Sequence, residues 1–310
     1  MSNMWGDKRY HNLNHFLREK FGEKVFKISL DAGFSCPNRD GKVAKGGCIF
    51  CSERGSGDFA GDRNFSISNQ FIDIKKMMGK KWNGDKYIAY FQAYSNTYAP
   101  VEILREKYDE AINEEGVVAL AIATRPDCLD KEVLDLLEEY SKKLYVWVEI
   151  GLQTSNDTTG KLINRGYDTE TFTEAVKNLN HRNIDAVGHC IFGLPGEGKE
   201  EILETINYLS HVGIQGIKMH LLHLMEDTPM VSLYNSGKLK FMEQDEYVDL
   251  ICEAVTRLPE EMVVHRLTGD APRSLLIGPM WSLKKWEVLN AIDDKLKNEG
   301  LYQGMNFKKI

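Results

Sequence analysis

The sequence has no apolar run long enough to cross a membrane, which takes roughly 20 residues. Its longest, VVALAIA at 117–123, suits a buried strand instead. The opening MSNMWGDKRYHNLNHF holds no apolar core of the kind a secretory signal carries, so no signal peptide and a cytoplasmic location are expected. Proline is sparse, eight in 310 residues, and there is no Pro/Ser-rich linker, low-complexity tract or short-period repeat. Solenoid arrays and long disordered tethers are therefore excluded. Positive charge is not in excess: 39 Lys and Arg face 46 Asp and Glu, a net charge of −7. That excludes a protein that coats nucleic acid by bulk electrostatics, though not one with a local basic face. Two lysine-rich segments, KKMMGKKWNGDK at 75–86 and the stretch 281–310, are read first as solvated helix faces. Cysteine is scarce too, six in all. In a reducing compartment, clustered cysteines bind metal or do chemistry more often than they form disulfides.

What is present is an ordinary globular composition, 42% hydrophobic and 27% charged, over enough chain for one large α/β domain or two smaller ones. Apolar β-rich runs at 24–30, 87–94, 117–124, 144–152, 184–194, 214–222 and 262–268 alternate with helical patterns near 66–80, 101–114, 130–141, 168–182, 198–211 and 243–257. Pro100 precedes the second helix, and Asp130 and Asp168 are expected N-caps of the third and fourth. Strands apolar on both faces belong in a parallel sheet covered by helices. The repeated β-α units predict a complete or partial (β/α) barrel, with a doubly wound open sheet as the alternative. In both folds functional residues gather at the carboxyl ends of strands. There the sequence places Cys36, then QAYSNTYAP, TRPDCL, Gln153, GLPGE, HLLHLMEDT and HRLTGDAPR in strand order. So much polarity on one rim is better explained by a site than by packing.

Three cysteines fall in CPNRDGKVAKGGCIFC, with Cys48 and Cys51 as a C-x-x-C and eleven residues between Cys36 and the pair. Cys128, Cys190 and Cys252 sit alone in periodic segments and are read as small core residues. A closed structural zinc site takes four ligands, and no histidine lies close in sequence to supply the fourth. A [4Fe–4S] cluster held by three thiolates keeps one iron open for a ligand. Cluster, zinc and no metal all remain open on the residues alone. Gly46 and Gly47 let the backbone turn closely, and Phe50 is placed to shield a metal centre from water.

Three cysteines after the first strand, ending in C-x-aromatic-C, resemble the signature of the radical S-adenosylmethionine (SAM) superfamily. The long first gap, with VEIGLQT (148–154), INRGY (163–167) and GHCIFGLPGE (188–197), is similar to the branch containing the Elongator catalytic subunit and its bacterial relatives. The resemblance implies a partial (β/α)6 barrel over 23–270, flanked by an N-terminal extension (1–22) and a C-terminal helical extension (271–310). It implies one cluster held by Cys36, Cys48 and Cys51, whose open iron takes SAM and cleaves it to a 5′-deoxyadenosyl radical. It places the SAM amino group near Gln92, Tyr94, Ser95, Asn96 and Thr97, which stand where many members have Gly-Gly-Glu. Glu149 interrupts a buried strand and needs a partner. The resemblance offers it the SAM ribose; the structural alternative is an ion pair, perhaps with Arg165. Gln153 is expected nearby. Arg165 is expected on the SAM carboxylate, and the turn Gly193, Leu194 and Pro195 on adenine. His189 and His220 are read first as core histidines. Lys218, His223 and His265 are weaker substrate-contact candidates.

The same resemblance implies a tRNA substrate: conversion of 5-carboxymethylaminomethyl-uridine at the wobble position to 5-aminomethyl-uridine, with a flavodoxin or ferredoxin as electron donor. An acetyltransferase activity is not expected, since only about forty residues follow 270. Trp281 and Trp286 either stack on RNA bases or cover the open side of the barrel, the latter being favoured. Lys8, Arg9, Tyr10 and His11 are further candidates for RNA contact. Two other functions stand beside this one: a radical SAM enzyme acting on a small molecule or peptide, and a non-catalytic cluster-containing RNA-binding protein.

Overall fold

A computed structural model describes residues 5–79 and 84–309. Part of the lysine-rich segment at 75–86 thus lies outside the described residues. The strands are β1 (Val25–Leu30), β2 (Lys86–Phe91), β3 (Val117–Thr124), β4 (Tyr145–Gln153), β5 (Asp185–Phe192), β6 (Gly216–Leu221), β7 (Leu224–Met225), β8 (Val263–Arg266) and β9 (Leu276–Gly278). The helices are α1 (Leu13–Phe21), α2 (Ile67–Gly79), α3 (Val101–Ile112), α4 (Lys131–Ser141), α5 (Asp157–Leu162), α6 (Thr169–Asn180), α7 (Lys199–His211), α8 (Val231–Asn235), α9 (Gln244–Thr256) and α10 (Lys285–Asn298). Asp130 and Asp168 cap α4 and α6 as expected, accepting from Val133 N and Thr171 N. No described helix is long and apolar enough to cross a membrane.

Seven strands form one parallel sheet in the order β1-β2-β3-β4-β5-β6-β8. The order never reverses. A doubly wound sheet needs a reversal, so the alternative falls and the partial barrel stands. The sheet is strongly curled. Four strand spacings separate β2 from β6, about 19 Å in a flat sheet. Yet Lys218 Nζ of β6 lies 3.3 Å from Tyr90 OH of β2.

Alternation along the strands makes two packed layers. Ile28, Leu30, Phe91, Leu120, Ile122, Val148 and Ile150 point outward and pack under the helices. Val25, Ile88, Tyr90, Ala119, Ala121, Trp147 and Val187 point inward. Leu17 of α1 joins this inner set, with Leu13, Phe16 and Phe21 against it, so the N-terminal helix stoppers the amino end of the barrel. Asn12 caps α1, and the segment before it is bound to the body: Val264 N donates to the His11 carbonyl at 2.7 Å, and Gln303 N to that of Arg9 at 2.9 Å. Tyr10 is buried and Lys8 is paired with Asp293, so the N-terminal segment spends those side chains internally. At the other end, Val288, Ile292 and Leu296 of α10 are buried, and Cys252 of α9 donates to the Ile292 carbonyl.

Candidate active site

The loop after β1 is folded on itself. Arg39 N and Asp40 N donate to the Cys36 carbonyl, Gly47 N to that of Asn38 at 2.8 Å, and Cys51 N to that of Cys48 at 3.0 Å. Arg39 reaches back over the C-x-x-C turn: its Nη2 donates to the Cys51 carbonyl at 3.0 Å and to that of Ser52, and its guanidinium lies 5.4 Å from the Tyr94 ring centroid. Asn38 Nδ2 donates to the Asn164 carbonyl at 2.6 Å and stands 3.6 Å from Cys48 Sγ. Asn164 returns the contact, its Nδ2 donating to the Gly47 carbonyl at 2.7 Å, while Ile49 N donates to the Ile163 carbonyl. INRGY therefore clamps the cysteine loop to the end of β4. Gly166 is required there: its φ is +82°, and a Cβ would stand 2.6 Å from Asn38 Oδ1.

Cys36, Cys48 and Cys51 all line one cavity of about 600 Å³, which runs into the barrel as far as Lys27, Glu149 and Lys218. Its size suits a small ligand. Burial pushes the Cys48 thiol up to about 12 and raises that of Cys51, so metal must displace protons to bind. Among the described residues no three His, Cys, Asp or Glu side chains are grouped closely enough to hold a single metal ion. Three cysteines that face one cavity without meeting at one point fit a polynuclear cluster better than one zinc. The cavity also holds buried polar atoms without partners, among them Ser95 Oγ and Gln153 Oε1. Such atoms are rare in folded proteins and mark places for a ligand or water. Gln153 follows an irregularity in the β4–β5 register and has φ +69°, which turns its side chain toward the cavity.

The expected SAM-contact residues divide. Gln92, Tyr94, Ser95, Glu149 and Gln153 line the cavity. Asn96 and Thr97 do not. Asn96 Nδ2 donates to the Phe91 and Ala123 carbonyls, and Thr97 bonds Thr124 Oγ1 and the Cys128 carbonyl, so both tie the β2 loop to β3. Arg165 is wholly buried away from the cavity. Its guanidinium donates to the Leu152, Thr154 and Tyr167 carbonyls and pairs with Asp157 at 2.6 Å. Arg125 does stand on the cavity wall, held flat by a bidentate pair with Asp127 and stacked 4.7 Å from the Tyr167 ring centroid. Gly193, Leu194 and Pro195 form a turn beside the cavity rather than in its lining. Leu194 packs in an apolar cluster with Ile191 and Leu222, against which Ile49 and Phe50 also pack.

Glu149 finds its partner inside the protein, and it is Lys218, not Arg165. Tyr90 OH donates to Glu149 Oε2 at 2.7 Å and Trp147 Nε1 to Oε1 at 3.1 Å. Burial works against the carboxylate, but Lys218 and Lys27 outweigh it and hold Glu149 well below the usual range. Burial also lowers Lys27 and Lys218. Sequence reasoning passed over Lys27, Arg125 and Arg266. The signal was available for the first: like Glu149, a lone charge interrupts an apolar strand.

Comparison with known proteins agrees with this architecture. The radical SAM superfamily profile matches residues 39–209, and the radical SAM C-terminal domain profile matches residues 214–298. The chain is 53% identical over 304 residues to the uncharacterized protein YtqA of Bacillus subtilis, covering 98% of this chain and 94% of that one. It is 37% identical over 286 residues to protein YhcC of Escherichia coli, covering 92% and 91%. Among solved structures, the archaeal Elp3 of Methanocaldococcus infernus with an N-terminal deletion superposes with TM-score 0.68 at 17% identity, over 90% of this chain and 64% of that one. With three cysteines facing one cavity at the carboxyl rim of a partial barrel, the chain belongs to the radical SAM superfamily, whose enzymes use a [4Fe–4S] cluster and SAM.

Proposed function

We propose that this enzyme modifies the side chain of the tRNA wobble uridine, taking 5-carboxymethylaminomethyl-uridine to 5-aminomethyl-uridine. Cys36, Cys48 and Cys51 would hold the cluster, and the orphaned Ser95 Oγ and Gln153 Oε1, with Arg125, would bind SAM. When bound, that pair supplies one-electron cleavage of SAM and a carbon radical able to abstract hydrogen. The chain's own residues bind, orient and dry the site: Arg39 and Asn38 direct N–H groups around the cysteine turn, and Phe50 with Ile49 adds an apolar wall. The observation that carries the enzymatic part is the joint lining of one deep cavity by all three cysteines and by orphaned polar atoms. The uridine substrate is supported by likeness to the tRNA uridine(34) acetyltransferase of Methanocaldococcus infernus, 25% identical over 192 residues, which cover 59% of this chain and 34% of that one. A reduced flavodoxin or ferredoxin is the proposed donor, in a cytoplasmic setting that suits six free thiols.

The test compares modified nucleosides in tRNA from cells with and without the gene. Accumulation of 5-carboxymethylaminomethyl-uridine without it is expected; an unchanged wobble profile would sink the tRNA reading. Activity on a small molecule is the second reading, favoured by the cavity volume alone, and the same unchanged profile would leave it standing. For the cluster, anaerobically reconstituted Cys51→Ala should lose its iron and its visible charge-transfer absorption. Full loading of that variant would remove Cys51 from the ligand set.

A further inference from the structure

The deep end of the cavity carries a second set of groups, distinct from the three cysteines and from the Ser95, Gln153 and Arg125 proposed for SAM. Six Lys and Arg line the whole cavity against three carboxylates, in a chain whose net charge is −7. Arg39 and Arg125 belong to the cysteine end, where their charges act on the thiols. Lys27, Lys218, Arg266 and Lys285 belong to the other end, facing only Glu149 and Asp270. Asp270 is shared, 2.6 Å from Lys285 and 3.5 Å from Arg266, and Glu149 is shared between Lys218 and Lys27. Two carboxylates thus stand against four basic side chains at this end.

Strand register builds the layer. Gly151 pairs with His189, His189 with Lys218, and Lys218 with Arg266, so four neighbouring strands set these residues side by side on the inner face. Gly151 brings no side chain, and the Gln153 amide fills the place a Cβ there would take, its Nε2 only 2.6 Å away. One step further toward the rim stands His220, its ring centroid 4.0 Å from that of His189. His189 Nε2, His220 Nε2 and His223 Nε2 are buried, and none has a hydrogen-bond partner. All three residues line the cavity. The loop after β8 closes over them: a Cβ on Gly269 would come within 2.9 Å of His220 Nδ1 and 3.1 Å of His223 Cε1. Burial and nearby cations keep these rings neutral, so each retains one N–H.

We infer that this end of the cavity is a carboxylate pocket for the substrate, with Arg266 and Lys218 as its cations and His189 and His220 as its hydrogen-bonding wall. A carboxylate answers both features: a surplus of basic side chains and unpaired ring nitrogens. Taken with the proposed function, on which the identity of the ligand rests, the group held is the terminal carboxylate of the uridine side chain. The pocket itself stands on the geometry alone.

The reconstituted protein, saturated with SAM, is titrated with two pairs of probes while histidine ring resonances are followed by NMR. One pair is 5-carboxymethylaminomethyl-uridine and its carboxamide; the other is sarcosine and its amide. Each carboxylate should shift the His189 and His220 signals and bind about tenfold more tightly than its uncharged partner, as expected for a charge-assisted contact. Arg266→Gln should abolish that preference without lowering Tm much, since Arg266 is one-third exposed. Equal affinity within both pairs, a preference that survives in Arg266→Gln, or no shift with any probe overturns the pocket. If the sarcosine pair shows the preference but the nucleoside binds no better than sarcosine, the pocket stands and the uridine assignment falls. If the nucleosides bind equally well with and without the carboxylate, the reverse holds.

Discussion

Glu149 illustrates how one residue type at one position can mean two things. A carboxylate inside a strand buried on both sides must be paired, and its sequence neighbours offer a hydrogen bond from Trp147 but no charged partner. The partner arrives from β6, two strands away, because the sheet curls. Breaking such a pair from one side leaves the other charge buried and uncompensated, which costs about 3–5 kcal/mol. Glu149→Gln and Lys218→Met should each lose that much in denaturant unfolding, and the double variant should lose clearly less than their sum. Additive losses would show that the two do not act as a pair. Because the folded carboxyl titrates below its usual value, its stabilisation is complete above the ordinary glutamate value of 4.5 and is lost as pH falls through the folded value.

At the scale of elements, the short segment after α5 has the clearest consequence. Asn164 joins the cysteine loop to the segment after β4 through hydrogen bonds with Asn38 and Gly47, and a side chain at Gly166 would crowd Asn38 out of that contact. Gly166→Ala should destabilise the protein by more than about 1 kcal/mol through the positive φ. It should also reduce iron loading per chain, measured after reconstitution; full loading would show that the clamp does not hold the cysteines. The C-terminal aromatics separate. Trp281 packs against Tyr247 of α9 and donates to the Met242 carbonyl, so its ring is spent inside the protein. Trp286 on α10 is 76% exposed beside Lys285. Trp286→Ala should stay within about 0.5 kcal/mol of wild-type stability. If this face meets RNA bases, it should weaken tRNA binding about tenfold in a filter or anisotropy assay. Unchanged binding would leave Trp286 a bystander.

For the whole molecule, the barrel interior sets the response to acid. His189, His220, His223 and His265 all have folded values lowered by burial, to about 3 for His189 and His265 and about 4 for His223, against an ordinary 6.5. Between those limits the unfolded chain binds protons that the folded one refuses, so stability must fall as pH drops from about 6.5 toward 4. Each histidine adds up to about 1.4 kcal/mol per pH unit to that slope. Replacing His220 with Gln should flatten the curve of unfolding free energy against pH by close to one proton; an unchanged slope would mean His220 is protonated in the fold.

The sequence by itself determined the order of elements, because strand and helix periodicities differ and the long apolar runs left little ambiguity. It also determined which cysteines belong together, since a C-x-x-C after a first strand is local information. The helix caps at Asp130 and Asp168 are local for the same reason. Only the tertiary structure decided which polar residues share the cavity. Curling the sheet brings Tyr90, Glu149 and Lys218 together from strands that a linear reading keeps far apart. It likewise sent Arg165 to backbone carbonyls and put Arg125 on the cavity wall, a choice set by loop packing. The short β7–β9 pair and the stopper helix α1 were equally out of reach, for both depend on surfaces that exist only once the barrel has formed.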